Sequence, residues 1–202
     1  KKASKDADIA AVLLWLACFP RRPLYMQIGA ADLDQAAIVK RRIASILFLN
    51  DWLNDYVEIQ SYKVKSKNKL AEIEIVAADV AGSHGETPDI LVVNELSHVT
   101  KWEFVENLLD NADGVAQGVV IVATNAGFKG TKAEVMRQIA LDPASNWSTH
   151  ILDRPAPWHS EANLREAKKR NTPSRYKRLW QGVWASGKGD AFDDNDINRM
   201  FK

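Results

Sequence analysis

Three short blocks carry the residue types that could handle a phosphate. Ser4-Lys5-Asp6 stands directly ahead of a long apolar run. A lysine there would meet an anion held on the backbone N–H groups of a helix N-terminus. Ile90-Leu91-Val92-Val93 is an aliphatic run that stops at Asn94-Glu95. A buried parallel strand ending in a carboxylate delivers that acid to the carboxyl edge of a sheet, where α/β proteins bind ligands. An acid in that place can polarise a water for attack on a phosphoryl group. A second apolar strand over 119–123 runs into Thr124-Asn125-Ala126-Gly127. The Thr124 and Asn125 side chains could hydrogen-bond a phosphate or its attacking water and pass a change to a neighbouring element. The same residue types equally make a plain β-to-α turn. The chemistry requires that Glu95, at the tip of a central strand, stand beside the amino end of the first helix.

The elements that must position these groups follow from pattern and punctuation. Positions 6–19 predict a helix, apolar almost all round and therefore buried, ended by Pro20 and Pro23. A strand over 24–29 follows, then a helix over 33–48 with Asp32 as its N-cap. Two strands of a hairpin are expected over 56–65 and 70–78, where Ile73 and Ile75 alternate with Glu72 and Glu74. After a loop over 82–89 come the strand 90–94, a helix 102–109, a strand 118–123, a helix 132–141 and a short strand 149–152. This succession predicts an α/β fold, a mostly parallel sheet flanked by helices. From 153 the texture changes: Arg154-Pro155-Ala156-Pro157 reads as a stiff linker, Ser160 caps a helix over 161–170, and 165–178 holds seven basic residues and one acid. The expected organisation is a core over 1–152 and a small C-terminal lid subdomain over 153–202.

Bulk properties narrow the function classes. At 202 residues and 46% hydrophobic the chain can bury a substantial core, and its net charge of +1 makes any basic surface local. A lone cysteine, Cys18, excludes an internal disulfide and reads as buried and inert. The longest apolar run, 9–19, is too short to span a membrane, and no signal peptide is seen. The chain starts at Lys1 without a methionine, which reads as a fragment or a processed chain.

Each block departs from its full pattern. A phosphate-binding loop reads G-x-x-x-x-G-K-[ST] after a strand. Here Ser4 stands for the last glycine and Asp6 for the hydroxyl residue. A carboxylate at position 6 can bind Mg²⁺ directly but repels phosphates that a hydroxyl would tolerate. At the end of the strand 90–94 an Asp-Glu pair is usual, the Asp for the Mg²⁺ shell and the Glu for water. Asn94 keeps hydrogen-bonding capacity without the charge. Gly82-Ser83-His84-Gly85 could line the site, track DNA or form a flexible turn. Lys63, Lys65, Lys67 and Lys69 could meet phosphates or form the solvated side of a hairpin. The basic stretch 165–178, with Arg165, Lys168, Lys169 and Arg170, has the same two readings, and its density favours nucleic acid. The seven tryptophans read as core and interface anchors, with no stacking platform in their spacing. The acidic run 190–196 lacks the glycine of a calcium loop.

In this order the blocks resemble the ATPase part of the large terminase subunit of tailed phages, the motor that packages DNA. Ala31-Asp32-Leu33-Asp34-Gln35-Ala36 is similar to the family's A-x-x-x-Q-A helix opening, and 77–85 to its stretch of small residues and glycine. Pro88-Asp89-Ile90-Leu91-Val92-Val93-Asn94-Glu95-Leu96 resembles its P-D-hydrophobics-D-E-L strand, with Asn94 in place of Asp. Ala123-Thr124-Asn125-Ala126-Gly127 resembles its coupling motif, and 176–184 the run that closes its ATPase region. The resemblance implies a P-loop ATPase fold with a lid, ATP and Mg²⁺ as cofactors, and a host-cytoplasmic phage or prophage protein. It implies double-stranded DNA, a portal protein and a small terminase subunit as partners of a homo-oligomeric ring on the portal, with no membrane. Carried over, Ser4, Lys5 and Asp6 bind nucleotide, Asp6 and Asn94 serve the metal, Glu95 is the catalytic base, and Thr124 and Asn125 couple hydrolysis to lid movement. A trans-acting arginine is not singled out among Arg41, Arg42, Arg137 and the later cluster. The family's C-terminal nuclease domain is expected to be absent from this chain.

Overall fold

The computed structural model describes residues 4–78, 86–152 and 155–186. The chain divides into two compact units, Ser4–Thr124 and the residues from Asn125 onward.

The first unit is built on a six-stranded sheet in the order β2-β3-β4-β1-β5-β6. Helix α1 (Lys5–Cys18) leads into β1 (Leu24–Ala30), and helix α2 (Leu33–Leu49) with a 3₁₀ turn at Asp51–Asp55 leads to β2 (Val57–Ile59), β3 (Lys63–Ser66) and β4 (Ala71–Ala77). Then come β5 (Ile90–Asn94), a 3₁₀ turn at Leu96–His98, α3 (Trp102–Asp113) and β6 (Val119–Ala123). Strands β4, β1, β5 and β6 are mutually parallel, while β2–β3 and β3–β4 are antiparallel. The sheet is therefore mostly parallel with an antiparallel margin; β5, buried from Leu91 to Asn94, carries the Val/Ile/Leu run that burial on both faces demands, whereas β4 alternates Ile73 and Ile75 with the half-buried Glu72 and Glu74.

Periodicity decides which residues fill each face. Met26 and Ile28 of β1, Ile73 of β4 and Val92 of β5 join Leu13, Leu14, Val39 and Ile43 of α1 and α2 in the main core. On the opposite face α3 lies so close to β1 that a Cβ on Gly29 would come within 2.4 Å of Leu108 Cδ1. Any side chain at position 29 would force the buried Leu108 to move. Asp89 fastens the start of β5 to β1: its carboxylate accepts from the Tyr25 N–H at 2.8 Å and pairs with Arg22, while its own N–H donates to the Tyr25 carbonyl at 2.7 Å.

Two expectations for this unit need correction. The first hairpin strand, expected over 56–65, is broken in two by a turn after Ile59, and β3 folds back to pair with both β2 and β4. Helix α1 is not buried all round, since Val12 and Trp15 are exposed. Trp15 instead joins Phe19, Trp52 and Tyr56 in a chain of ring contacts with centroids 4.5–6.3 Å apart. The lysine stripe is partly neutralised, because Lys63 and Lys65 pair with Glu72 and Lys63 also with Glu74, across β3 and β4. Burial opposes ionisation of Glu72, and the hydrogen bonds from Lys63 and Lys65 outweigh it, leaving the carboxyl below its ordinary range. Cys18 is buried, and burial pushes its thiol pKa up.

In the second unit, α4 (Lys132–Leu141), α5 (Glu161–Arg170) and α6 (Pro173–Gln181) are each opened by a hydroxyl cap, from Thr131, Ser160 and Thr172. Helix α6 was not expected, although Thr172-Pro173 at its start and Gly182 at its end are ordinary stop and start signals. Gly182 is left-handed at φ 67°, and a Cβ there would lie 2.8 Å from the Leu152 carbonyl oxygen. Residues 149–152 are exposed and irregular rather than a strand, because among the described residues no strand pairs with them. The tryptophans are mostly not core: of the seven, only Trp184 is buried. Trp180 stacks with Tyr176 and meets His159 edge-on. The loop and glycine motif at 79–85 and the glycine turn and acidic run beyond 186 lie outside the described residues.

Gly29→Val should destabilise the first unit by about 1–3 kcal/mol through overpacking against α3, measured by urea unfolding. Asp89→Ala should cost about 1–3 kcal/mol by orphaning the Tyr25 N–H, read in the same assay.

Candidate phosphate-handling site

The site forms because helix and strands run in opposite directions. Fourteen residues of α1 span about 21 Å, and the short connection 19–23 returns the chain antiparallel to it as β1. The amino end of α1 therefore reaches the carboxyl edge of the sheet. β5 and β6 are in register there, Asn94 opposite Ala123, so Glu95 and Thr124 each follow the last paired residue of adjacent strands.

Lys5 Nζ donates to Asp6 Oδ1 at 2.7 Å and to Asn94 Oδ1 at 2.9 Å, and forms an ion pair with Glu95 Oε1 at 2.9 Å. The Asn94 amide also donates to Asp6 Oδ1 at 3.0 Å. Asn94 is fully buried at 0% exposure and Glu95 nearly so at 8%, whereas the Lys5 and Asp6 side chains are 26% and 24% exposed. One ammonium thus sits among three oxygens, at the boundary between the sheet edge and solvent.

The backbone is unusual at both ends of this network. Ser4 adopts φ 56° and Glu95 φ 54°, in the left-handed region. Ser4 stands where the phosphate-loop pattern has glycine, and its conformation is the one glycine favours. Its side chain does not cap α1, while its carbonyl accepts from the N–H groups of Ala7 and Asp8. Left-handed backbone at a non-glycine costs about 1–3 kcal/mol and collects at functional positions. At Glu95 it turns the chain out of β5 into the 3₁₀ turn Leu96–His98.

Thr124 enters through that turn. Its Oγ1 accepts from the Ser97 N–H at 2.9 Å, so β6 is tied to the backbone two residues beyond Glu95. Asn125 is the first residue of the second unit. Sequence reasoning missed Ser97; the legible signal was only its place just after the acid.

The basic stretch lies apart from this network in the chain. Arg165, Lys168, Lys169 and Arg170 are exposed on α5. Arg165 pairs with Glu161 and Lys169 with Glu166, at 3.4 and 3.1 Å. Arg178 is turned inward instead, its guanidinium 4.4 Å from the Phe128 ring centroid. Burial, then the neighbouring Arg175 charge, lowers its pKa. Arg137 lies 5.9 Å from the Trp184 ring centroid. No group of three His, Cys, Asp or Glu side chains suited to a metal occurs among the described residues, and no described helix is long and apolar enough to cross a membrane.

No protein-family model and no curated protein matches the sequence. Solved structures do match its fold. The large terminase of bacteriophage HK97 superposes with a TM-score of 0.76 at 18% identity, over 91% of this chain and 45% of that one. The large terminase of the thermophilic bacteriophage D6E in complex with ATP-γ-S gives 0.68 at 14% identity, over 91% and 45%. The ATPase domain of the Thermus phage P74-26 large terminase gives 0.67 at 12% identity, over 92% and 86%. The chain spans under half the length of the first two. Its fold is that of the ATPase domain of phage large terminases.

Proposed function

We propose that this chain is the ATP-hydrolysing motor domain of a phage terminase, which drives DNA into procapsids. The observation that carries the proposal is the 2.9 Å contact between Lys5 Nζ and Glu95 Oε1. It brings an ammonium of the kind that binds phosphate and a carboxylate of the kind that can polarise water to one point at the carboxyl edge of a parallel sheet. The shared fold supports the same reading, since one similar protein was solved with ATP-γ-S.

In the proposed cycle Lys5 leaves its three oxygens for the β- and γ-phosphates of ATP. Oxygens that already gather round one cation suit Mg²⁺, a hard ion that takes carboxylate and carbonyl ligands. Asp6 would hold the ion with Asn94 beside it, and once bound it would supply charge neutralisation at the phosphoryl group. Glu95, released from Lys5, orients the attacking water. Ser4 holds the left-handed turn that presents the α1 N-terminus to the phosphates. A shift of the Glu95 turn reaches Thr124 through Ser97 and then Asn125, which couples hydrolysis to the second unit. Double-stranded DNA is the cargo, met in part by Arg165, Lys168, Lys169 and Arg170. A portal protein, a small terminase subunit and further copies of the chain in a ring are the other partners, in the host cytoplasm.

A second reading has its own observation: Lys5 is committed to three partners and position 94 carries an amide. Under it the chain is a degenerate P-loop module that binds nucleotide or DNA in assembly without hydrolysis.

Glu95→Gln should lower ATP turnover by about 10²–10⁴-fold while ATP binding persists, measured by phosphate release and calorimetry. Turnover equal to wild type would remove Glu95 from its role, and nucleotide binding without any wild-type turnover would select the second reading. Neutralising Arg165, Lys168, Lys169 and Arg170 together should flatten the dependence of log K for DNA on log salt by up to about 3–4. An unchanged slope would take α5 out of the DNA interface.

A further inference from the structure

We infer that Asp6 and Asn94 form a reciprocal exchange, in which the helix supplies the charged ligand for the metal and the strand supplies the neutral group that positions it. The inference rests on the nucleotide-site reading above. Phosphate-loop enzymes hold their metal between a hydroxyl that opens the helix and an Asp that ends the strand. Here the helix carries Asp6 and the strand Asn94. The total of one carboxylate and one neutral hydrogen-bonding group is kept, with the two positions traded.

The geometry supplies the reason the trade can work. Asn94 Nδ2 donates to Asp6 Oδ1 at 3.0 Å, so the two side chains address one place from opposite elements. Asn94 is fully buried, which fixes its amide, and Asp6 is partly exposed, where a carboxylate can still reach an ion and its waters. The direction of that hydrogen bond matters. An amide can donate to a carboxylate; an aspartate in its place could only accept. With Asp6 and Glu95 already beside Lys5, a third carboxylate at position 94 would be a buried negative charge facing two others and one ammonium. Each departure from the phosphate-loop pattern is therefore tolerated because the other is present. Asp6 is the metal ligand and Asn94 is its positioning residue.

The test is a mutant cycle on the full chain, read by Mn²⁺ affinity with ATP-γ-S, using electron paramagnetic resonance, and by thermal unfolding without nucleotide or metal. Asp6→Asn, which keeps shape and removes charge, and Asp6→Thr should each weaken Mn²⁺ binding by about 10–100-fold. Asp6→Thr combined with Asn94→Asp should regain most of that loss. In the metal-free protein Asn94→Asp alone should lower the melting temperature by at least about 2–4 °C, and the double variant should recover it. Mn²⁺ affinity unchanged in Asp6→Asn would overturn the exchange, as would a folded double variant that binds Mn²⁺ no better than Asp6→Thr. A wild-type chain that takes up no Mn²⁺ would overturn it too. The motor reading fails separately, by undiminished turnover in Glu95→Gln, whatever the Mn²⁺ series gives.

Discussion

A single ammonium group shared among three side-chain oxygens organises this site. Lys5 Nζ reaches Asp6, Asn94 and Glu95 at 2.7–2.9 Å, and those partners come from the start of one helix and the end of a strand almost ninety positions away. Nothing local holds them together. The contact exists because α1 and β5 both deliver their ends to the same edge of the sheet, over a core that their buried residues Leu13, Leu14 and Val92 share. Two carboxylates and a buried amide so close together would repel or remain unsatisfied without a cation between them.

The sheet supplies the precision. Asn94 is fully buried and in register with Ala123, while Asp89 at the opposite end of β5 is fastened to β1. A five-residue strand held at both ends cannot slide, and a slip of one residue would turn Glu95 away from Lys5. On one face α1 and α2 share the main core with β1, β4 and β5; on the other Leu108 of α3 fills the space left by the missing side chain of Gly29. The left-handed backbone at Ser4 and Glu95 is tolerated on this rigid base.

Legibility in the sequence varied with the kind of signal. Elements bounded by polar or capping residues were plain: strand β5 and helix α4 have the bounds their pattern predicts, and helix α2 begins after the Asp32 cap, whose carboxylate accepts from Gln35 N–H. Signals that depend on partners were not. Residues 56–65 look like one strand until β3 has to pair with both β2 and β4. Ile151 and Leu152 have strand character, yet no neighbouring strand takes them up among the described residues. Tryptophan count did not reveal burial, since an amphipathic ring can lie along the surface against other rings, as Trp15 and Trp52 do through Phe19. Helix α6 buries none of its residues, so only its Thr-Pro opening and Gly182 close mark it in the sequence.

The parallel α/β pattern, the acid at the end of an aliphatic strand and the lysine at the start of a helix are legible from residue order, because they depend on periodicity and on residues adjacent in the chain. Residue order also showed the substitutions at positions 4, 6 and 94, but each looked like a loss of function taken alone. The folded chain alone reveals that Asp6 and Asn94 touch, that Ser4 takes the backbone conformation of the glycine it stands for, and that Ser97 links the Glu95 turn to Thr124. Those facts are distances between residues far apart in sequence, or dihedral angles set by packing, and residue order does not encode either until the chain has closed on itself.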